Sequence, residues 1–352
     1  MRVLHYIYFF TVMAIFRTLN IRTAVFFKRL LGIISPPTII PYLGYGHQNR
    51  IYLKGQVLED RPDFNADETD KKSKNFKTML SRYLSTPLPE IKVNIVLRGE
   101  QYTIHCDELG YFSKWITSPS TFESGHHEVT YSICDVKGTD ICTSVGEFVI
   151  YNEAPDFGVI SDIDDTILVS HATQLLRKIR LIMTKNAKTR LPFEGVAEFY
   201  QEMSQHQKNP IFYVSSSEWN LYDFLVDFFA VRQIPKGPFL LQEFKSGIKD
   251  LLFTGGGSHQ HKLQKIRRLM DLYPDMDFFL IGDSGQKDPL IYHKALLEFH
   301  ERIKAVYIRK IKKKDDFDQT IKADFEKYKV PLLLIKNTRE AEIHARENGW
   351  ID

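Results

Sequence analysis

The chain has 352 residues, enough for two domains, and its 43% hydrophobic and 26% charged residues are typical of an ordinary globular protein. A formal net charge of only +3 gives no overall field that would favour nucleic acid as a partner. The three cysteines, Cys106, Cys134 and Cys142, are widely spaced and form neither a metal-ligand pattern nor a disulfide framework.

The first 34 residues differ in composition from the rest of the chain. Residues 3–16 are nearly all apolar or aromatic, but this run is short for a membrane span, which needs about 20 residues. A signal peptide would explain the apolar core, yet no small-residue cleavage site follows cleanly. Arg17, Arg22, Lys28 and Arg29 suggest a basic amphipathic continuation. We expect a membrane-proximal segment that spans the bilayer or lies in its interface, with the body cytoplasmic. The alternative is a hydrophobic helix packed on the body.

Residues 35–152 are predicted to form a small β-rich domain. Pro36, Pro37 and Pro41 mark a break after the N-terminal segment. Beyond them, apolar and β-branched residues in short runs, separated by polar turns, predict strands, with a helical interruption at 71–84. The predicted strands are 50–58, 91–97, 111–116, 127–134 and 146–151. We expect a β-sandwich-like fold without chemistry of its own.

Residues 153–352 show a different pattern, in which apolar strands alternate with helices. The predicted strands are 157–163, 210–215, 238–241, 277–282, 304–308 and 331–335. The predicted helices are 194–207, 219–230, 259–273, 288–300, 316–328 and 337–348. Such alternation predicts an α/β domain with a parallel sheet and helices on both faces. In sheets of this kind ligands bind beyond the carboxyl ends of the strands.

The strongest chemical signal follows the first of these strands, where the chain reads Ser-Asp-Ile-Asp-Asp-Thr from 161 to 166. Asp162 and Asp164 are two residues apart and would share one face of a regular strand. Carboxylates grouped at a strand end are costly to desolvate unless a positive charge lies among them. Mg²⁺ is the natural candidate, because it prefers oxygen ligands. An acidic turn without a metal is the alternative.

Polar residues also follow two other predicted strands. Ser215, Ser216 and Ser217 lie at a strand-to-helix turn, where hydroxyl and backbone N–H groups either hold a phosphate oxygen or cap the helix. Asp283 and Asp288 form a second acidic strand end, and Lys262 opens the helix before it. Because neighbouring strands lie about 5 Å apart, side chains at two such ends can bind one cation.

Taken together, these motifs resemble those of haloacid-dehalogenase-like phosphatases. The matching elements are Asp162-Ile-Asp164-Asp-Thr166, Ser215, Lys262 and Gly282-Asp-Ser-Gly-Gln-Lys-Asp288, in that order. The closer resemblance is to the actin-patch-protein branch, phosphatidate phosphatases related to lipins. It rests on Asp-Ile-Asp-Asp-Thr, the stretch 213–222, and Ile-Gly-Asp-Ser-Gly-Gln-Lys-Asp-Pro. Tyr42-Leu-Gly-Tyr-Gly46 is similar to bacterial members. The resemblance covers roughly residues 36–350 and implies a Rossmann-like catalytic domain.

The resemblance implies a role for each residue of the first motif. Asp162 would be the nucleophile that forms an aspartyl-phosphate. Asp164 would protonate the leaving alcohol and then deprotonate the hydrolytic water. Asp162, the backbone carbonyl of Asp164 and Asp283 would hold Mg²⁺, with Asp288 beside them. Thr166 would order the loop that follows the nucleophile.

The same resemblance implies that Ser215, with Ser216, and Lys262 bind the phosphoryl oxygens and stabilise charge in the transition state. Asp288 would orient Lys262 or a metal-bound water.

The segment between the first two motifs is predicted to form a small cap above the site. Its apolar residues fall roughly on one helical face, beside Arg177, Lys178 and Arg180. Such a helix suits either an anionic lipid surface or packing on its own domain. A second basic run, residues 309–314, is interpreted as a solvated face.

We therefore expect a Mg²⁺-dependent phosphatidate phosphatase that acts at an anionic membrane surface and takes no nucleic acid as a partner. Two alternatives stay open. One is a phosphatase for another phosphomonoester, such as a phosphoprotein or a nucleic-acid end. The other is a non-catalytic, membrane-tethered binding module.

Overall fold

The computed structural model describes residues 23, 25, 28, 30, 31, 35–60, 85–151, 155–167, 193–242, 258–311 and 317–352, with only the backbone for 258–260. In this part of the chain the boundary between two compact units falls between Ile150 and Tyr151. The predicted helical stretch 71–84, most of the N-terminal segment, and the cap cations Arg177, Lys178 and Arg180 lie outside the described residues.

The described residues of the first unit form seven strands. They are β1 (Pro37–His47), β2 (Arg50–Glu59), β3 (Lys92–Leu97), β4 (Glu100–His105), β5 (Tyr111–Thr117), β6 (Gly125–Cys134) and β7 (Asp140–Ile150). All five predicted strands of this region are present. Two strands were not predicted, namely β1 and β4. The prediction of a break at Pro41 was wrong, since this proline lies inside β1.

These strands form one continuous sheet in the order β4-β3-β6-β7-β1-β2-β5. The predicted sandwich of two sheets is therefore corrected to a single sheet that curves into a near-barrel. Its edge strands approach each other, and Lys114 Nζ of β5 lies 3.5 Å from the Thr103 carbonyl oxygen of β4. Curvature lets one sheet enclose its own apolar core, because the side chains of alternate residues all point to the inside.

The described end of the N-terminal segment packs on this unit. Val25 is buried in the same apolar cluster as Leu53, Val93 and Phe148. Lys28 Nζ donates to Glu59 Oε2 at 2.6 Å and to Thr86 Oγ1 at 2.7 Å. At this point the chain is a helix held on the body.

The second unit contains six strands and six helices among its described residues. The strands are β8 (Gly158–Ser161), β9 (Ile211–Glu218), β10 (Phe239–Gln242), β11 (Phe278–Asp283), β12 (Ile303–Arg309) and β13 (Leu332–Ile335). The helices are α1 (Val196–Ser204), α2 (Tyr222–Val231), α3 (Ser258–Leu272), α4 (Asp288–Phe299), α5 (Gln319–Lys327) and α6 (Thr338–Glu347). Each coincides with a predicted element, and two short 3₁₀ turns are added.

The strands of this unit pair in parallel in the order β10-β9-β8-β11-β12-β13. Helices α3, α4 and α5 are neighbours, and α1 lies beside α6. Because crossovers between parallel strands are right-handed as a rule, we expect these two groups on opposite faces of the sheet. The inner strands β8 and β11 are buried along their whole length, which explains their unbroken apolar runs. Their carboxyl ends bring Asp162 and Asp283 to one edge of the sheet.

Among the described residues, every helix is too short or too polar to cross a lipid bilayer.

Candidate active site

The carboxyl ends of the central strands collect the polar side chains that the sequence singled out. Asp162 follows β8 directly, and its backbone N–H donates to the Ile281 carbonyl of β11 at 2.8 Å. Asp283 is the last residue of β11, and Asp288 is the first residue of α4. All three carboxylates are fully buried. The parallel register of β8 and β11 therefore places two acidic strand ends side by side.

Lys262, from the first turns of α3, lies between two of these carboxylates. Its Nζ atom is 3.0 Å from Asp162 Oδ1 and donates to Asp288 Oδ1 at 2.7 Å. Burial alone would lower the pKa of Lys262, but the charges of Asp162 and Asp288 outweigh it, so the pKa is raised. Lys262 is thus a fixed positive charge in contact with the predicted nucleophile.

The positive charge of one lysine does not balance the negative charges of the three carboxylates. One oxygen from each of Asp162, Asp283 and Asp288 lies within 4.8 Å of the others. Burial raises the pKa of Asp162 well above its usual range and that of Asp283 to about 7. Three ionised carboxylates and one ammonium group leave a formal charge of −2.

This deficit fits one divalent cation. Asp283 Oδ2 is buried, and no donor among the described residues forms a hydrogen bond of normal length and angle with it. The oxygens of Asp288, in contrast, already accept hydrogen bonds. Oδ1 accepts one from Lys262 Nζ, and Oδ2 accepts one from the Asp283 backbone N–H at 3.3 Å. An oxygen-only, doubly negative pocket is the donor set that Mg²⁺ prefers. Asp162 and Asp283 are the side chains best placed to hold such an ion, with Asp288 supporting them.

The Asp164 carboxylate lies outside this cluster and faces a different set of partners. Its Oδ2 atom receives the Ser215 hydroxyl at 3.2 Å and the Ser217 hydroxyl at 2.5 Å. Its backbone carbonyl faces Gln286, whose Nε2 atom is 3.4 Å from that oxygen and 3.4 Å from Asp162 Oδ2. The main-chain oxygen of Asp164 and an oxygen of Asp162 thus share one neighbour, Gln286 Nε2.

Two serines of the run contact the Asp164 carboxylate. Ser215 and Ser217 share one side of β9 because side chains alternate along a strand, and both hydroxyls contact Asp164. Ser216 is half-buried between them, and its contact with a phosphoryl group stays a prediction. Ser217 belongs to the predicted run but was assigned no role of its own, although the period of two along the strand was a usable signal.

The predicted loop-ordering residue, Thr166, is held by a residue that sequence reasoning misplaced. Arg309 Nε donates to the Thr166 carbonyl at 3.2 Å and its Nη2 donates to Thr338 Oγ1 at 2.7 Å. Its guanidinium also lies 4.1 Å from the Phe193 ring centroid. The interpretation of Arg309 as part of a solvated face was wrong, because this residue ends the buried strand β12. Burial lowers the pKa of its guanidinium.

The fold and this site together define an α/β domain with a carboxylate–lysine centre at the carboxyl edge of a parallel sheet. Residues 157–310 match the family described as phosphatidate phosphatase APP1, catalytic domain. The matched segment contains Asp162, Lys262, Asp283 and Asp288 of the centre.

Two curated fungal proteins are similar to the same region. Phosphatidate phosphatase APP1 of Saccharomyces cerevisiae is 30% identical over 153 residues, which are 43% of this chain and 25% of that protein. An uncharacterized protein of Schizosaccharomyces pombe is 28% identical over 157 residues, 44% of this chain and 25% of that protein. The matched region therefore spans about a quarter of the length of these relatives.

Solved structures give only distant similarity. A bacterial ice-binding adhesin aligns over 36% of this chain and 35% of its own, at 13% identity and a TM-score of 0.20. A carbohydrate acetylesterase from Xanthomonas citri aligns over 77% and 68%, at 10% identity and a TM-score of 0.26. Scores of this size do not establish a shared fold.

Proposed function

We propose that this protein is a Mg²⁺-dependent phosphatidate phosphatase that releases phosphate and leaves diacylglycerol. The observation that carries the proposal is the buried Lys262 bridge between Asp162 and Asp288, with Asp283 completing an acidic cluster. Its lipid specificity is supported by the phosphatidate phosphatase family that residues 157–310 match and by the similarity to the yeast phosphatidate phosphatase.

In this proposal the chain's own residues carry the proton and phosphoryl transfers, in two steps. In the first, an Asp162 oxygen attacks phosphorus, the bond to the leaving oxygen breaks, and protonated Asp164 gives its proton to that oxygen. In the second, Asp164 takes a proton from water as the water oxygen attacks the aspartyl-phosphate, so phosphate leaves and Asp162 is regenerated. Lys262 and the Ser215 hydroxyl would stabilise the negative phosphoryl oxygens.

We infer that the residues present fit Mg²⁺. When bound, the ion would supply charge neutralisation and polarise a phosphoryl oxygen. Asp162, Asp283 and the Asp164 carbonyl would hold it, with Asp288 keeping Lys262 in place.

The finer class of the fold is also a proposal. The strand order, with the predicted nucleophile at the end of inner strand β8, agrees with a haloacid-dehalogenase-type domain. The Asp162-x-Asp164-x-Thr166 spacing and a second acidic strand end at Asp283 support the same assignment.

Access to a lipid phosphate would be assisted by the membrane-proximal features of the sequence. The segment 1–34 would keep the protein at the cytoplasmic surface of a membrane, and Arg177 and Arg180 would contact anionic headgroups. Leu30 and Leu31 are exposed at the described end of this segment, where apolar side chains could meet lipid.

The deciding experiment is phosphate release from vesicles that contain phosphatidate, with Mg²⁺ and with EDTA, for the wild type and Asp162→Asn. We expect Mg²⁺-dependent release that Asp162→Asn abolishes. Activity restricted to soluble phosphomonoesters would contradict the lipid assignment and favour the other phosphatase hypothesis. Vesicle binding without any phosphate release, equal for the wild type and Asp162→Asn, would favour the binding-module hypothesis.

A further inference from the structure

Ser217 makes the shortest contact in the region of the proposed proton donor. Its hydroxyl lies 2.5 Å from Asp164 Oδ2, against 3.2 Å for the Ser215 hydroxyl on the same oxygen. Hydrogen bonds between a hydroxyl and a carboxylate are short when the acceptor is charged. Ser217 is therefore the closer of the two donors that fix this carboxyl group.

The position of Ser217 is itself determined by its neighbour. The Ser217 backbone N–H donates to Ser215 Oγ at 2.8 Å, which ties the end of β9 into a local turn. The Ser215 carbonyl is in turn held by Lys265 Nζ at 3.2 Å. These bonds hold the backbone at Ser215 and Ser217 and so restrict the position of the Ser217 side chain.

The two serines have different expected tasks once substrate is bound. Ser215 is expected to turn its hydroxyl to a phosphoryl oxygen, and Ser217 then remains as the hydroxyl on Asp164 Oδ2. A carboxyl group held through Oδ2 keeps a constant orientation and carries its transferable proton on Oδ1. Correct orientation matters because an error of about 1 Å in a reacting group can lower the rate about 100-fold.

We propose that Ser217 is a positioning residue that aims the Asp164 carboxyl group at the leaving-group oxygen. This inference rests on the proposed phosphatase function. The step it assists is the first one, in which the P–O bond to the alcohol breaks and the proton of Asp164 passes to the departing oxygen. Ser217 itself neither gains nor loses a proton overall.

Dependence on the leaving group distinguishes this role from a purely structural one. An alkoxide is a strong base and needs a proton as it departs, whereas p-nitrophenolate is stabilised and departs without one. Misaiming Asp164 should therefore slow alkyl phosphates far more than p-nitrophenyl phosphate. A general disturbance of the site should slow both substrates equally.

The test measures kcat/KM of the full chain with Mg²⁺ on dioctanoyl phosphatidate and on p-nitrophenyl phosphate. For Ser217→Ala we expect a loss of about 10- to 100-fold on the alkyl substrate and less than about threefold on the aryl substrate. Ser217→Thr keeps the hydroxyl and should restore the ratio of the two. Ser217→Cys, a weaker donor of similar size, should show the same selective loss and serves if the alanine variant folds poorly.

Ser113→Ala, which removes an exposed strand hydroxyl from β5 in the other unit, is the matched control and should change neither value. Equal losses on both substrates, or no loss, would overturn the role of Ser217 while leaving the phosphatase intact. A wild-type protein that releases phosphate from neither substrate would instead overturn the proposed function.

Discussion

Replacing Asp283 by asparagine should inactivate the protein and at the same time stabilise its metal-free form. Burial, followed by the charge of Asp288, raises the pKa of Asp283 from an ordinary value of 3.8 to about 7. A difference of this size corresponds to about 4 kcal/mol of unfavourable free energy when the native carboxylate is ionised. The asparagine side chain has no charge to desolvate, and its oxygen can still accept the backbone N–H of Gln286.

The sign of the effect depends on pH in a defined way. Because the folded pKa is raised, the stability contributed by protonated Asp283 is complete below about pH 4 and is lost as pH rises through 7. Asp283→Asn removes this loss. After allowing for the cost of the substitution itself, we expect a net gain of about 2 kcal/mol at pH 8 in EDTA, and a much smaller gain at pH 5.

Thermal unfolding is a direct assay. A gain of about 2 kcal/mol corresponds to an increase in Tm of about 4–8 °C for a unit of this size. Mg²⁺ should raise the Tm of the wild type more at pH 8 than at pH 6, because protons compete with the ion, and should hardly affect the variant. A variant that melts below the wild type in EDTA at pH 8, or equal Mg²⁺ effects at both pH values, would refute the reasoning.

Three further changes test other contacts. A Cβ on Gly282 would lie 2.6 Å from Asp288 Oδ2, so Gly282→Ala should displace this partner of the lysine and lower kcat/KM at least about tenfold, as phosphate release would show. Lys28→Met leaves the carboxylate of Glu59 buried without its cation and should lower the free energy of unfolding at pH 7 by about 1–3 kcal/mol, measured by urea titration. Burial would raise the pKa of Glu59, but these bonds outweigh it and the pKa is lowered. The loss of stability in Lys28→Met should therefore become smaller as pH falls and the carboxylate is protonated. Arg309→Lys cannot reproduce the two hydrogen bonds and the ring contact together, and should lower both Tm and kcat/KM.

Matched substitutions separate these effects from general damage. Gly99→Asn lies in an open turn, with nothing within 4 Å of the added Cβ, and should leave activity unchanged. Lys208→Met breaks the exposed ion pair with Asp156 and should cost less than about 1 kcal/mol. If Lys28→Met costs no more than Lys208→Met, the burial argument for Glu59 is wrong.

The second unit was predictable because the local sequence pattern of each strand and helix agrees with the environment that the fold gives it. Strands β8 and β11 are buried on both faces, so their sequences are unbroken apolar runs that end at Asp162 and Gly282-Asp283. The helices between strands carry the usual amphipathic pattern, and their bounds differ from the prediction only by the few residues that fray at each end.

The first unit was less predictable because pairing overrides local signals there. Pro41 argues against a strand, yet it lies in β1 opposite Gly55, while the parallel pairing with β7 begins only at Gly44. Pro41 therefore lies outside the register of the parallel ladder, a position where the lack of an N–H is tolerated. Whether seven strands form one curved sheet or two packed sheets depends on which strands pair with each other. The alternation of buried and exposed side chains along each strand is the same in both arrangements, so it cannot distinguish them.

The strand ends of the second unit could be predicted from the sequence, and with them the carboxylates, hydroxyls and lysine at the edge of its sheet. The tertiary structure set how these side chains group: Asp162, Asp283 and Asp288 around Lys262, and Asp164 beside Ser215 and Ser217. It also placed Arg309 inside the core, although the basic run looked solvated. The physical reason is that distances between strand ends, and the burial of a charge, depend on packing across the sheet, which residue spacing along one strand does not encode.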